Sequence, residues 1–345
     1  MQFAKIKNSI FSILLSISLL LVSAFPCFAS AKQNNFEVYP SDDALAFLAE
    51  NGSTLSEKGI PLYDIENKVI AYYYEITPTG YCIIDGFGNI IECAFNKIKE
   101  LPNGKIFYLS PTLLCSKENN EYINTENKAI EKVSEKSDFG NKINTIAQKY
   151  KSKSTDEISN KDIKRLSARA NYNTISGSCR TYSFNPDGRC GSTASAILLM
   201  YYNDYIDDYM VLSSYETNDG VSLINLLVPH IEGDDPANGS NTAEVVSGLN
   251  WYLRWKGRAG NYVATSSASI YYSTYMSIID SGRPAIIDLN AAPTYGEHWV
   301  VGYGYQKYPR SDRTYAYYIV NDGWGENGVY ILSDYVGDAV YLNYL

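Results

Sequence analysis

Cys190 heads a run of small residues, Cys190-Gly-Ser-Thr-Ala-Ser-Ala-Ile-Leu-Leu-Met200. Such a run predicts a helix whose thin surface can lie close against a sheet, with the thiol at its first turn. The chain has only two histidines, His230 and His298, and the second sits in Gly296-Glu-His-Trp-Val-Val-Gly-Tyr-Gly-Tyr305. That stretch reads as a strand in which Gly302 and Gly304 permit close packing or a bulge. A further strand, Tyr315–Val320, runs into Asn321-Asp-Gly-Trp-Gly325. A thiol on a helix, an imidazole on a strand and an amide at a Trp-Gly turn, in that order, predict an α+β unit with helices first and an antiparallel sheet second.

Those residue types suit one chemistry. The unpaired N–H groups and positive end of a helix favour a thiolate at Cys190. His298 would take the thiol proton and later return it to a leaving group. The Asn321 amide oxygen would fix the imidazole tautomer, with the Asp322 carboxylate as rival, and Trp324 would cover that bond and exclude water. Each residue also has a plain reading: a structural thiol, a satisfied core histidine, an ordinary Asn-Asp-Gly hairpin turn. His230, in Leu227-Val-Pro-His, fits the plain reading, and Cys179 has no helix behind it.

The length of 345 residues fits two domains. Residues 1–31 read as a secretory signal peptide, with Lys5 and Lys7 before an apolar core and Ala29-Ser-Ala31 at the cleavage site, so the expected location is extracellular. A membrane anchor is the other reading of this segment, and the core is short for it. Residues 32–115 read as a small α+β unit: Ser41 caps a short helix, and runs 68–75, 80–85, 89–93 and 105–109 are β-branched and aromatic. Residues 116–170 are polar and read as a linker with some solvated helix near 143–150, ending in the protease-accessible Lys164-Arg-Leu-Ser-Ala-Arg169. Residues 171–345 form the second domain and hold 23 of the 32 tyrosines. This half carries 9 Lys and Arg against 18 Asp and Glu, which argues against nucleic acid as a partner. Of six cysteines, Cys82 and Cys93 flank a hairpin turn and could lie together, with pairing open among Cys82, Cys93, Cys115 and Cys179. No Cys/His spacing suits zinc, and neither a metal nor a cofactor is expected.

The helix from Cys190 to Tyr202 resembles the catalytic helix of streptopain-type cysteine peptidases. Gly296–Tyr303 resembles their histidine strand, and Val320-Asn-Asp-Gly-Trp-Gly325 their Asn-x-Gly-Trp-Gly turn. The bacteriocin-processing-like branch of the papain clan is equally close. The resemblance covers about 170–345, and residues 65–93 are also similar to the propeptide of streptopain zymogens. It implies a papain-like fold preceded by an α+β propeptide, cut at about 150–170 in the linker of residues 116–170. It further implies a secreted cysteine endopeptidase acting on peptide or protein substrates through a Cys190, His298, Asn321 triad and a thioester. The propeptide would be an intramolecular inhibitor, and the freed enzyme would have no membrane attachment. The chain departs from the family in lacking the glutamine that donates to the oxyanion; Asn185 is the amide on offer beside the Cys190 N–H. Two other readings stay open: a papain-clan amidase acting on peptidoglycan stems, and a non-catalytic binding or inhibitory module on the same fold.

Overall fold

The computed structural model describes residues 38–126, 128, 130–131, 139–150, 171–182, 184–185, 189–234, 239–289, 298–310 and 313–345. The signal-peptide and activation-cut expectations (1–31 and 151–170) lie outside them, as do 186–188 before Cys190 and Gly296-Glu297 before His298.

Helix α1, Asp42–Glu50, begins where Ser41 Oγ accepts the Ala44 N–H at 3.2 Å and Asp42 and Asp43 face the positive helix end. Strands β1 (Thr54–Leu55), β2 (Ile60–Tyr63), β3 (Val69–Thr77), β4 (Tyr81–Asp85) and β5 (Ile90–Ala94) follow. The chain continues through β6 (Ile106–Ser110), β7 (Leu113–Glu118), β8 (Glu121–Asn124) and β9 (Ile130–Glu131). All pair antiparallel except β2 with β6. Position 115, the compositional boundary, falls inside β7, whose hairpin with β8 continues the same sheet.

Helix α2, Phe139–Tyr150, corrects the expectation of a solvated segment. It buries Phe139, Ile143, Ile146, Ala147 and Tyr150 along one face. Phe139 meets Tyr108 edge-on at 5.3 Å and Tyr335 at 6.1 Å, while Tyr150 stacks on Tyr315 at 5.0 Å. Its polar composition describes the outer face only.

In the second half, α3 (Cys190–Tyr205) is the central helix, buried at every residue from Cys190 to Asn203. Around it lie α4 (Val221–Ile231), α5 (Thr242–Trp255) and α6 (Tyr272–Asp280). Asn241 and Glu244 close a capping box at the start of α5. The strands are β10 (Asn171–Thr174), β11 (Tyr262–Ser267), β12 (Ala285–Leu289), β13 (His298–Pro309), β14 (Thr314–Asn321), β15 (Asn327–Leu332) and β16 (Val336–Tyr344). Their order is β11-β16-β12-β13-β14-β15, with β10 alongside β13. The register of β13 against β14 shifts between Gly302 and Gly304, as the glycines suggested. A Cβ at Gly302 would stand 2.5 Å from Tyr275 Oη, so α6 packs there only because the side chain is missing.

The two halves share one sheet. β5 pairs antiparallel with β15, Val329 opposite Ala94 and Tyr330 opposite Cys93. Residues 38–345 accordingly form a single unit. Phe47 of α1 wedges the seam, 4.8 Å from the Tyr317 ring, 5.5 Å from Tyr308 and 6.1 Å from Tyr330. Asp43 pairs with Arg310 at 2.9 Å, and Tyr315 Oη donates to Asn89 Oδ1 at 3.1 Å. The architecture is therefore mixed α+β, with a large, mostly antiparallel sheet and six α-helices among the described residues. Among those residues no helix is long and apolar enough to cross a membrane. Cys82 and Cys93 do stand opposite each other in β4 and β5, and all five described cysteines are buried.

Candidate active site

Cys190 is the first residue of α3 and His298 the first of β13, and the helix packs on that strand. Both are buried, at 8% and 6% exposure. Two bridges tie the helix start to the strand start. On one side, a Cβ at Gly191 would stand 2.3 Å from Ser240 Oγ, and the Ser240 carbonyl accepts the indole N–H of Trp299 at 2.8 Å. On the other, Thr193 Oγ1 donates to Asn185 Oδ1 at 3.4 Å, and Asn185 Nδ2 donates to the Gly323 carbonyl at 3.2 Å. The small residues read as helix surface are thus what lets this end of α3 reach the strand and turn.

His298 Nε2 lies 3.0 Å from the main-chain carbonyl of Asp322. A carbonyl only accepts, so the neutral ring holds its proton on Nε2 and leaves Nδ1 as the basic nitrogen. The Trp324 ring lies parallel to the imidazole, with centroids 5.0 Å apart and planes 7° apart. Burial holds the imidazole down at about 4; the Asp322 carbonyl works against that shift, and the charge of Lys99 adds to it. His298 is therefore neutral at pH 7.

Asn321 does not reach the imidazole. Its Oδ1 accepts the Gly323 N–H at 3.0 Å, and its Nδ2 donates to Asn327 Oδ1 at 3.0 Å and to the Arg180 carbonyl at 3.3 Å. These bonds brace the turn between β14 and β15, where Gly323 takes φ +75°. The Asp322 carboxylate makes no hydrogen bond to the ring either: Oδ1 accepts the N–H of Trp324 at 2.8 Å and of Glu326 at 3.0 Å. Burial pushes its carboxyl up to about 7, opposed by the Lys99 charge and assisted by Glu326. Asn185 sits at 3% exposure beside Thr193, with an amide hydrogen on Gly323.

Four further residues bear on the site. Glu232, at the end of α4, accepts the Ser192 N–H at 2.8 Å and also takes its hydroxyl, so a carboxylate caps the helix that begins at Cys190. Burial pushes Glu232 up, while the Ser192 bonds pull it down. From the other half, Asn96 Nδ2 donates to the Asn327 carbonyl at 2.9 Å, and Lys97 pairs with Glu326. Lys99 is fully buried, donates to the Thr112 carbonyl at 3.1 Å and lies 3.4 Å from Glu126. Nothing local marks Glu232, Asn96 or Lys97 in the sequence, because their partners lie about 40 to 230 positions away. His230 lies elsewhere, stacked on Trp251 with centroids 3.4 Å apart. Among the described residues no group of His, Cys, Asp and Glu could hold a metal ion.

No family model matches this chain. No curated protein matches it either. Among solved structures it is similar to a fragment of Prevotella intermedia prointerpain A, a cysteine-to-alanine mutant. The two are 13% identical, with a TM-score of 0.44, over 84% of this chain and 98% of that one.

Proposed function

We propose that this chain is a secreted cysteine endopeptidase made as a zymogen. Cys190 attacks the scissile carbonyl to give a thioester, His298 acts through Nδ1 as base and then as acid, and water hydrolyses the acyl-enzyme. The Asp322 carbonyl fixes the imidazole tautomer, Trp324 shields it, and Asn321 holds the turn that presents both. Asn185 and the Cys190 N–H are the oxyanion donors. The observation that carries the reading is the His298 ring, held at Nε2 by a carbonyl and stacked on Trp324, on a strand packed against the helix that begins with Cys190. What supports the zymogen is the segment Asn96–Lys99 lying on the turn that holds His298, in a half of the chain joined to the rest by a polar linker. The imidazole is neutral there, so the thiolate–imidazolium pair forms only when residues 38–150 leave.

The test compares secreted wild type with Cys190→Ala. N-terminal sequencing should show shortening within 150–170 in the wild type alone, and only the shortened protein should react with an irreversible thiol-directed inhibitor and cleave casein. Release of stem peptides from purified peptidoglycan without casein cleavage would replace the endopeptidase by an amidase. Failure of Cys190 to label after shortening would leave a non-catalytic module.

A further inference from the structure

The turn that holds His298 carries two carboxylates with no cation of their own half. Glu326 is 4% exposed and pairs with Lys97, a residue of the other half whose side chain is itself 50% exposed. Asp322 is fully buried, and its Oδ2 has no hydrogen-bond partner among the described residues. Lys99, also from the other half, bears electrostatically on both. No Lys or Arg of residues 171–345 pairs with either carboxylate among the described residues. Lys97 therefore threads an ammonium from solvent onto a buried acid one turn from the imidazole, along a path that a long basic side chain can follow.

Resting on the peptidase reading above, we propose that Glu326, with Asp322 behind it, forms a cation-accepting subsite beside His298 that selects peptides bearing Lys or Arg. Lys97 occupies it in the uncut chain as a stand-in for the substrate's basic side chain. Two independent features agree. The half that carries the site holds 9 basic and 18 acidic residues, so its field draws cationic peptides. Residues 151–170, where activation would have to cut, hold six basic and three acidic residues. A charge-assisted bond in a partly dry site is expected to favour Lys over Ala by about 10- to 100-fold in kcat/KM.

Two readouts test it, the first on the self-processed protein and the second on the uncut chain. The first digests a peptide library varying Lys, Arg, Ala and Glu at each position with self-processed wild type and with Glu326→Gln, and maps cuts by mass spectrometry. One position should be enriched about tenfold or more in Lys and Arg, and that ratio should fall to within about threefold in Glu326→Gln. Cleavage with no basic preference, or a preference unchanged in Glu326→Gln, overturns the subsite and leaves the peptidase standing. The second needs no catalysis. In Cys190→Ala/Lys97→Met the covering ammonium is gone, and a fluorescein-labelled lysine peptide should bind by anisotropy at least tenfold tighter than its glutamate analogue. Adding Glu326→Gln should abolish the difference. Binding without any cleavage by the wild type keeps the subsite and ends the peptidase reading; equal binding of both peptides ends the subsite. Circular dichroism confirms that each variant is folded.

Discussion

Glu92 and Glu326 are both buried carboxylates at the seam of β5 and β15, yet they are satisfied in opposite ways. Glu92 accepts Tyr81 Oη at 2.7 Å, Tyr108 Oη at 2.9 Å and the Thr112 N–H at 2.6 Å, all from its own half. Glu326 depends on Lys97 from across the seam. The N-terminal cluster is complete in itself. The C-terminal one is complete only while covered, and it borders the imidazole. On the zymogen reading proposed above, such a cover also sets charge: Lys99 opposes protonation of His298, and its departure would leave an acidic site that favours an imidazolium.

The strongest way to break this comparison is to loosen the seam. Phe47→Ala removes the wedge between α1 and Tyr317, Tyr308 and Tyr330, and should lower stability by about 3–5 kcal/mol. Thermal unfolding measures the loss, and faster appearance of the shortened form should accompany it. Next comes the contrast of the two acids. Glu92→Ala strands two hydroxyls and an N–H in the interior and should be destabilising by about 3 kcal/mol or more. Glu326→Ala, whose partner is half-exposed, should lose less than about 1 kcal/mol. Urea midpoints that rank the two the other way would refute the contrast.

A smaller effect lies in pH. Burial depresses His298 to about 4 in the covered chain, so the ring gains its proton only below that value and stays neutral from pH 5 to 8. Iodoacetamide labelling of Cys190 in the intact chain should therefore stay slow from pH 5 to 8, where no imidazolium stands by to hold a thiolate. Shortening would remove the Lys99 charge, which should raise the imidazole pKa and speed labelling at pH 6 by about tenfold. Identical pH profiles before and after shortening would mean that the cover does not tune the imidazole. In activity, the least change is expected from Asn321→Ala. It loosens the turn by about 1 kcal/mol, visible in thermal unfolding, and lowers kcat by less than about tenfold. A drop of about 100-fold or more in kcat would restore Asn321 as the group that orients the ring.

Much of this was legible locally. Ser41 marks a helix start, β-branched and aromatic runs give β3 to β6, and the small residues after Cys190 give a helix buried on all sides. The facing of Cys82 and Cys93 follows from the turn between them. The helix at 139–150 was less so, since its apolar face finds Tyr108, Tyr315 and Tyr335, none of them nearby in the chain. The acceptor on His298 left no trace at all. It is a peptide carbonyl, a group every residue carries, so the visible amide of Asn321 drew the role instead.

The chain alone determined which segments become helix or strand, because spacing, branching and capping act over a few residues. Tertiary structure decided that β5 would extend the sheet at β15, that Lys97 and Lys99 would lie over an acidic turn, and that a carbonyl would hold the imidazole. Those choices depend on surfaces that come together only when distant segments bury apolar area against each other, and no local pattern encodes such a meeting.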